Sequence, residues 1–158
     1  KGREIQSDSL QEIAEESATN VVSKINQPVF VEDTGLYIRY LGGFPGPYAA
    51  YVYRTIGLRG ILTLMEDAPT REAHFRSAVA FASPGERAVS FVGEVSGRIA
   101  TSIRGSGGFG YDPIFEPDRG GGRTLGEMSR SEKNRLSHRA AAVRKFAKWY
   151  VSRVGGDL

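Results

Sequence analysis

Glu32 and Asp33 are adjacent carboxylates at the end of the apolar run Pro28-Val29-Phe30-Val31, and Thr34-Gly35 follows at once. Paired acids at the carboxyl end of a strand suit a divalent metal or a proton transfer, because ligands of α/β proteins bind at that end and hard cations take oxygen ligands. The same pair can equally begin a turn. If the strand persists through both residues they face opposite sides, so only one of them lies in a cleft; Asp33 is the first to suspect. A stiff Gly/Pro loop follows, Leu41-Gly42-Gly43-Phe44-Pro45-Gly46-Pro47-Tyr48.

Two further groupings could carry chemistry. Gly105, Gly107 and Gly110 match G-x-G-x-x-G by letter, but the dinucleotide fingerprint must open a helix, and Pro113 three residues later argues against one. What remains is either a plain loop anchored by aromatics or a backbone that presents Phe109 and Tyr111 for stacking a base and Asp112 to accept from ring N–H groups. In Ser131-Glu132-Lys133-Asn134-Arg135-Leu136-Ser137-His138-Arg139, Lys133 and Ser137 share a helical face. Ser137, His138 and Arg139 fan out over roughly 200° of a regular helix, so they reach one ligand only near its edge or where the helix is irregular. A solvated basic helix covering the core is the alternative. His138, with no second His nearby, suits hydrogen bonding better than metal ligation.

The elements that must position these groups follow from periodicity. Leu10, Ile13, Ala14, Ala18, Val21, Val22 and Ile25 fall on one face of a helix over residues 9 to 26, with Ser9 and Glu12 in capping-box positions. Pro28 ends it and starts a short apolar strand to Glu32, which a parallel or central position would bury on both sides. Tyr48 to Met65 is predicted helical with an interruption at Gly57. Ala73 to Ala82 and Ala88 to Val95 form a hairpin turned at Ser83-Pro84-Gly85-Glu86. Gly97 to Thr101 and Pro113 to Phe115 read as further short strands. A last helix runs from about Ser131 to Val151, with Leu136, Ala140, Val143, Ala147 and Tyr150 inward. This order implies an α/β protein with a mixed sheet flanked by helices.

Composition narrows the function classes. The 158 residues suffice for one domain with a cleft. With no cysteine, disulfides, thiolate catalysis and Cys-ligated zinc are excluded, and a reducing, cytoplasmic setting fits best. His74 and His138 lie 64 positions apart, which argues against a His-based metal site. No apolar run approaches the ~20 residues of a membrane span, and the first residues do not resemble a signal peptide. The net charge of +3 hides an asymmetry: residues 1 to 33 hold seven acids against three bases, and residues 119 to 153 hold ten bases against two acids. One end suited to a cation and another suited to an anion fit a metal-bound phosphate substrate; a nucleic-acid backbone accounts only for the basic half.

Val31-Glu32-Asp33-Thr34-Gly35-Leu36, Gly43-Phe44-Pro45-Gly46-Pro47-Tyr48, Phe109-Gly110-Tyr111-Asp112-Pro113 and Glu132-Lys133-Asn134-x-x-Ser137-His138-Arg139 together resemble the inosine triphosphate pyrophosphatase family, the HAM1-like pyrophosphatases of non-standard purine nucleotides. The resemblance implies one domain over residues 1–158, two lobes around a nucleotide cleft with a long mixed central sheet, and a homodimer. It implies hydrolysis of ITP, dITP and XTP to the monophosphate and pyrophosphate with Mg2+. By motif, Asp33 resembles the family's essential acid, as general base or metal ligand, and Glu4, in Glu4-Ile5-Gln6, its metal-coordinating glutamate. Phe109 would stack on the base, Asp112, Ser137, His138 and Arg139 would read its edge, and Lys133 would contact the nucleotide. Thr34, Gly110 and Tyr111 fall in the same substrate-binding motifs.

The family also opens with a strand ending in Thr/Ser-x-Asn-x-x-Lys, which nothing before Lys1 matches, and Ser17 stands at a commonly basic position. Either a true amino terminus lies ahead of Lys1 or the phosphate grip is crippled; the first is the expectation, since an open edge beside Pro28 to Val31 would expose a hydrophobic strand. Two other readings use the same residues: a nucleotide pyrophosphatase of different base preference, and a nucleic-acid-binding module built on the basic helix from Arg130 to Arg153.

Overall fold

A computed structural model of the chain describes residues 5–155. Its elements are α1 (Leu10–Ile25), β1 (Val29–Ile38), β2 (Pro45–Gly46), α2 (Ala49–Thr55), α3 (Gly57–Leu64), β3 (Glu72–Ala82), β4 (Val89–Ile99), β5 (Phe115–Pro117), α4 (Arg130–Leu136) and α5 (His138–Gly155). The five strands form one sheet in the order β2-β1-β3-β4-β5, as expected of an α/β protein with helices around one sheet. β2 pairs antiparallel with β1 (Leu36 opposite Gly46) and β5 with β4 (Ile99 opposite Phe115). No helix among the described residues is long and apolar enough to cross a membrane.

The chain divides into two compact units, and β1, β3 and β4 each contribute one part to either. The first holds residues 1–34, 77–94 and 138–158. Ser9 caps α1 by accepting from the Glu12 N–H, and Asn26 closes the helix in a left-handed conformation. Leu10, Ala14 and Ala18 pack against Ala78, Ala80 and Ala82 of β3, small residues on both sides that let helix and strand approach closely. On the opposite face of β3, Phe81 meets Phe146, Trp149 and Tyr150 of α5, and Phe91 of β4 joins them.

The second unit, residues 35–76 and 95–137, is built around Leu36, Ile38, Ile61, Met65, Phe75, Ile99, Ile114 and Phe115. The Arg71 guanidinium ties it by donating to the carbonyls of Met65, Ile99 and Ala100 at 2.7–2.8 Å, and its desolvation lowers the Arg71 pKa. Tyr111 is buried, donates its hydroxyl to the Ala49 carbonyl at 2.7 Å and meets the Tyr53 ring edge-on. Burial, with Tyr53 adding to it, pushes the Tyr111 hydroxyl up to about 12.

The structure corrects four sequence expectations. β1 does not stop at Glu32; it runs on to Ile38, because the buried Leu36 and Ile38 carry the alternation onward and outweigh the turn tendency of Asp-Thr-Gly. Nor is its first half buried on both faces: Phe30 is 46% exposed, and among the described residues β2 flanks β1 only at Leu36 and Tyr37. Val89 to Ile99 is one strand through Gly97, and β5 starts at Phe115 because Asp112–Ile114, with Pro113 fixing φ, forms a 3-10 turn first. The last helix is two helices. Ser137 is extended (φ −64°, ψ 129°), which resets the helical phase, so His138, Ala142, Phe146 and Trp149 turn inward while Val143, Ala147 and Tyr150 are exposed. The interruption of the middle helix at Gly57 is as expected.

The start of α5 is fixed by a glycine. A Cβ on Gly93 of β4 would lie 2.1 Å from the His138 carbonyl oxygen and 2.5 Å from the Ala142 nitrogen, both backbone atoms that cannot rotate aside.

Two stability measurements check these contacts. Gly93→Ala forces strand and helix apart and should cost about 1–3 kcal/mol, seen as a lower Tm in thermal unfolding; an unchanged Tm refutes the close approach. For Tyr111 the folded pKa lies above the ordinary value, so its stabilisation is complete below about pH 10 and lost as pH rises towards about 12. Tyr111→Phe should lower the urea midpoint at pH 8 and flatten its fall between pH 8 and pH 11; parallel profiles for wild type and variant contradict the buried hydroxyl.

Candidate functional site

In the second unit, three of the residues singled out by sequence come together. The 3-10 turn at Asp112–Ile114 buries Asp112 to 4% exposure, and its Oδ2 accepts from the Phe109 backbone N–H at 3.0 Å and from Lys133 Nζ at 2.5 Å. Gly108, at φ +68°, makes room for this: a Cβ there would sit 2.0 Å from that oxygen. Lys133 is delivered by α4, whose first turn is held by a reciprocal capping box between Ser129 and Glu132. The Ser129 N–H and then the Arg123 guanidinium hold the Glu132 carboxyl below its ordinary range. Lys133 Nζ also stands 4.1 Å from the centre of the Phe109 ring, which is 60% exposed.

The arrangement can do three things chemically. The exposed Phe109 ring is a stacking surface, the ammonium a donor, and the buried carboxylate an acceptor whose charge Lys133 balances. Tyr111, expected as a second stacking face, instead anchors this turn to the core through Ala49. Gly110, half-buried at φ +59°, lies between Phe109 and Tyr111.

In the first unit, β1 carries Glu32, Asp33 and Thr34 as successive strand residues, so Glu32 and Thr34 share one face and Asp33 takes the other. Glu32 Oε1 accepts from Thr34 Oγ1 at 3.3 Å and forms an ion pair with Arg139 Nε. Asp33 is half-buried. His138 is buried at the first position of α5 and Arg139 exposed beside it. The helix breaks at Ser137, between α4 and α5. Other bases of α5 serve the protein itself: Lys145 donates to the Val92 carbonyl and Arg153 to Glu86.

Glu4 lies outside the described residues, and among those described no group of three or more His, Asp or Glu side chains is close enough to hold a metal. Asp33 offers hard carboxylate oxygens, the donor type that magnesium takes while keeping several waters. Glu32 is already committed to Arg139 and Thr34. A cavity of about 610 Å³ in the second unit is lined by Tyr37, Arg39, Glu72, His74, Ser96 and Asp118, none of which the motifs name.

Sequence reasoning missed the pairing of Glu32 with Arg139 and the glycine that seats α5. The i, i+2 pair Glu32 and Thr34 was a local signal for a shared strand face. Nothing local pointed to a partner 107 residues away.

The Ham1 family model matches residues 1–149. The chain is 52% identical over 153 residues to the dITP/XTP pyrophosphatase of Methanopyrus kandleri, covering 97% of this chain and 81% of that one. It is 51% identical over 146 residues to the dITP/XTP pyrophosphatase of Thermococcus kodakarensis, covering 92% and 78%. Among solved structures it is similar to the Staphylococcus aureus Ham1 protein, with a TM-score of 0.88, 28% identity and coverage of 96% and 80%. It is similar too to the dITP/XTP pyrophosphatase of Mycobacterium abscessus, with a TM-score of 0.79, 32% identity and coverage of 92% and 78%. With about half of its residues shared along nearly its whole length, and the four motifs standing on the strand, turn and helix ends just described, the chain belongs to the Ham1 family.

Proposed function

We infer that this chain acts as one nucleoside-triphosphate pyrophosphatase domain, hydrolysing ITP, dITP and XTP to the nucleoside monophosphate and pyrophosphate and so removing them from a cytoplasmic nucleotide pool. The observation that carries the reading is the 52% identity, over 97% of the chain, to a dITP/XTP pyrophosphatase. The exposed Phe109 ring beside Lys133 and Asp112 supports it, as does the anchored Arg139.

The base stacks on Phe109, and Asp112, Ser137, His138 and Arg139 read its edge, with Thr34, Gly110 and Tyr111 shaping the surroundings and Lys133 contacting the nucleotide. A 6-oxo group accepts hydrogen bonds, whereas the 6-amino group of adenine donates them. N–H donors from His138 and Arg139 therefore pair with inosine and xanthine, and adenine leaves them unpaired at a cost of ~1–3 kcal/mol per group. At the other end of the substrate, Asp33 orients a water and takes its proton as the water oxygen bonds to the α-phosphorus; the bond from that phosphorus to the α–β bridging oxygen breaks and pyrophosphate leaves. Asp33 and Glu4 are the carboxylates that would hold magnesium, which when bound neutralises phosphate charge. The family resemblance carries a homodimer with it, and no stable nucleic-acid partner.

Two experiments check this. Incubation with ITP and ATP, with pyrophosphate and orthophosphate assayed separately, should give pyrophosphate from ITP at least about tenfold faster than from ATP. Orthophosphate as the product, or equal rates, overturns the reading. Asp33→Asn, nearly isosteric, should lower kcat about 100- to 10,000-fold with an unchanged circular dichroism spectrum; wild-type turnover by this variant removes Asp33 from the chemistry.

A further inference from the structure

We propose that Glu32 is a positioning residue for base selection: it holds the Arg139 guanidinium at the orientation from which Arg139 tells a 6-oxo purine from a 6-amino purine. This rests on the reading of Arg139 as a residue that contacts the base edge. A long arginine side chain is a poor discriminator unless its donors are fixed, because a free guanidinium can turn to meet either kind of group. Here both ends of Arg139 are held. Its backbone belongs to the first turn of α5, whose His138 carbonyl is pressed against Gly93. Its Nε donates to Glu32 Oε1, and that same oxygen accepts from Thr34 Oγ1 at 3.3 Å, so the carboxylate is itself fixed from its own strand.

Stability does not account for the pair. The side chains are 44% and 25% exposed, and ion pairs open to solvent contribute little to folding. What the geometry supplies is orientation: the carboxylate engages the guanidinium through Nε while Arg139 remains accessible from solvent. Asp33, the next residue, faces the other side of the strand. Neighbouring acids thus have separate duties, Asp33 towards the phosphates and Glu32 towards the base.

The test is the ratio of kcat/KM for ITP to that for ATP in wild type, Glu32→Gln, Glu32→Ala, Thr34→Val, Arg139→Gln and the Glu32→Gln/Arg139→Gln double variant, with Tm measured for each. Glu32→Gln keeps the shape and an acceptor but not the charge. It should lower the ratio by roughly tenfold, through a rise in KM for ITP larger than any fall in kcat. Glu32→Ala should lower it further, and Thr34→Val less. Arg139→Gln should lower it as much as Glu32→Ala, and the double variant no more than Arg139→Gln alone, since both residues act through one contact. A ratio that falls in Arg139→Gln but stays within about twofold of wild type in both Glu32 variants overturns the positioning role and leaves the enzyme reading intact. A ratio unchanged in Arg139→Gln removes Arg139 from base reading, and this proposal with it. A wild type with no preference for ITP overturns the enzyme reading itself.

Discussion

The carbonyl of His138 occupies the space in which a side chain on Gly93 would begin. Packing at that distance leaves α5 one way to start, and much of the first unit follows from it. The chain is extended at Ser137 and coils again from His138. The new phase turns Ala142, Phe146 and Trp149 inward, where they meet Phe81 and Phe91. Beside the buried His138 at the same helix start, Arg139 is left outside, within reach of Glu32. A steric constraint at one strand residue thus sets which side chains at the start of α5 are buried and which are exposed.

In the second unit the comparable constraint is electrostatic. A carboxylate as buried as that of Asp112 is costly without partners, and both of its contacts come from site residues: the Phe109 N–H and the Lys133 ammonium. The aromatic ring and the cation are therefore placed by one acid, with Gly108 giving way to it on one side and Tyr111 pinning the turn to Ala49 on the other. The basic surplus of the carboxyl-terminal third is less available than its count suggests, since Arg123, Lys133, Arg139, Lys145 and Arg153 all have partners within the protein. These five cations hold elements of the protein in place.

Local chemistry made parts of the fold legible in advance. Ser9 and the seven-residue apolar stripe marked α1, Gly57 marked the division between α2 and α3, and Ser83-Pro84-Gly85-Glu86 marked the turn between β3 and β4. Where expectation and structure differ, a tertiary contact overrode a local tendency. Asp33-Thr34-Gly35 has turn composition, yet Leu36 and Ile38 draw it into a strand because both are needed in the second unit's core. The stretch from Arg130 to Gly155 has no strong breaker at Ser137, and the start of α5 after it packs against Gly93, a residue distant in sequence. The motif residues were found by type and spacing. Their supports, Gly93, Gly108 and the Glu32–Arg139 pair, were not, because each is defined by what lies opposite it in space.

The extension of β1 changes the meaning of its two acids. At the end of a strand, Glu32 and Asp33 would share one loop and compete for one ligand. Within a continuous strand the alternation separates them by a full sheet face, so each meets its own surroundings. Glu32 meets a guanidinium and a hydroxyl, which hold its carboxylate as a fixed acceptor. Asp33 is half-buried on the other face of the strand. Two residues of like charge and adjacent position thus acquire different chemistry from a backbone that does not turn, and a turn at Gly35 would have erased the difference.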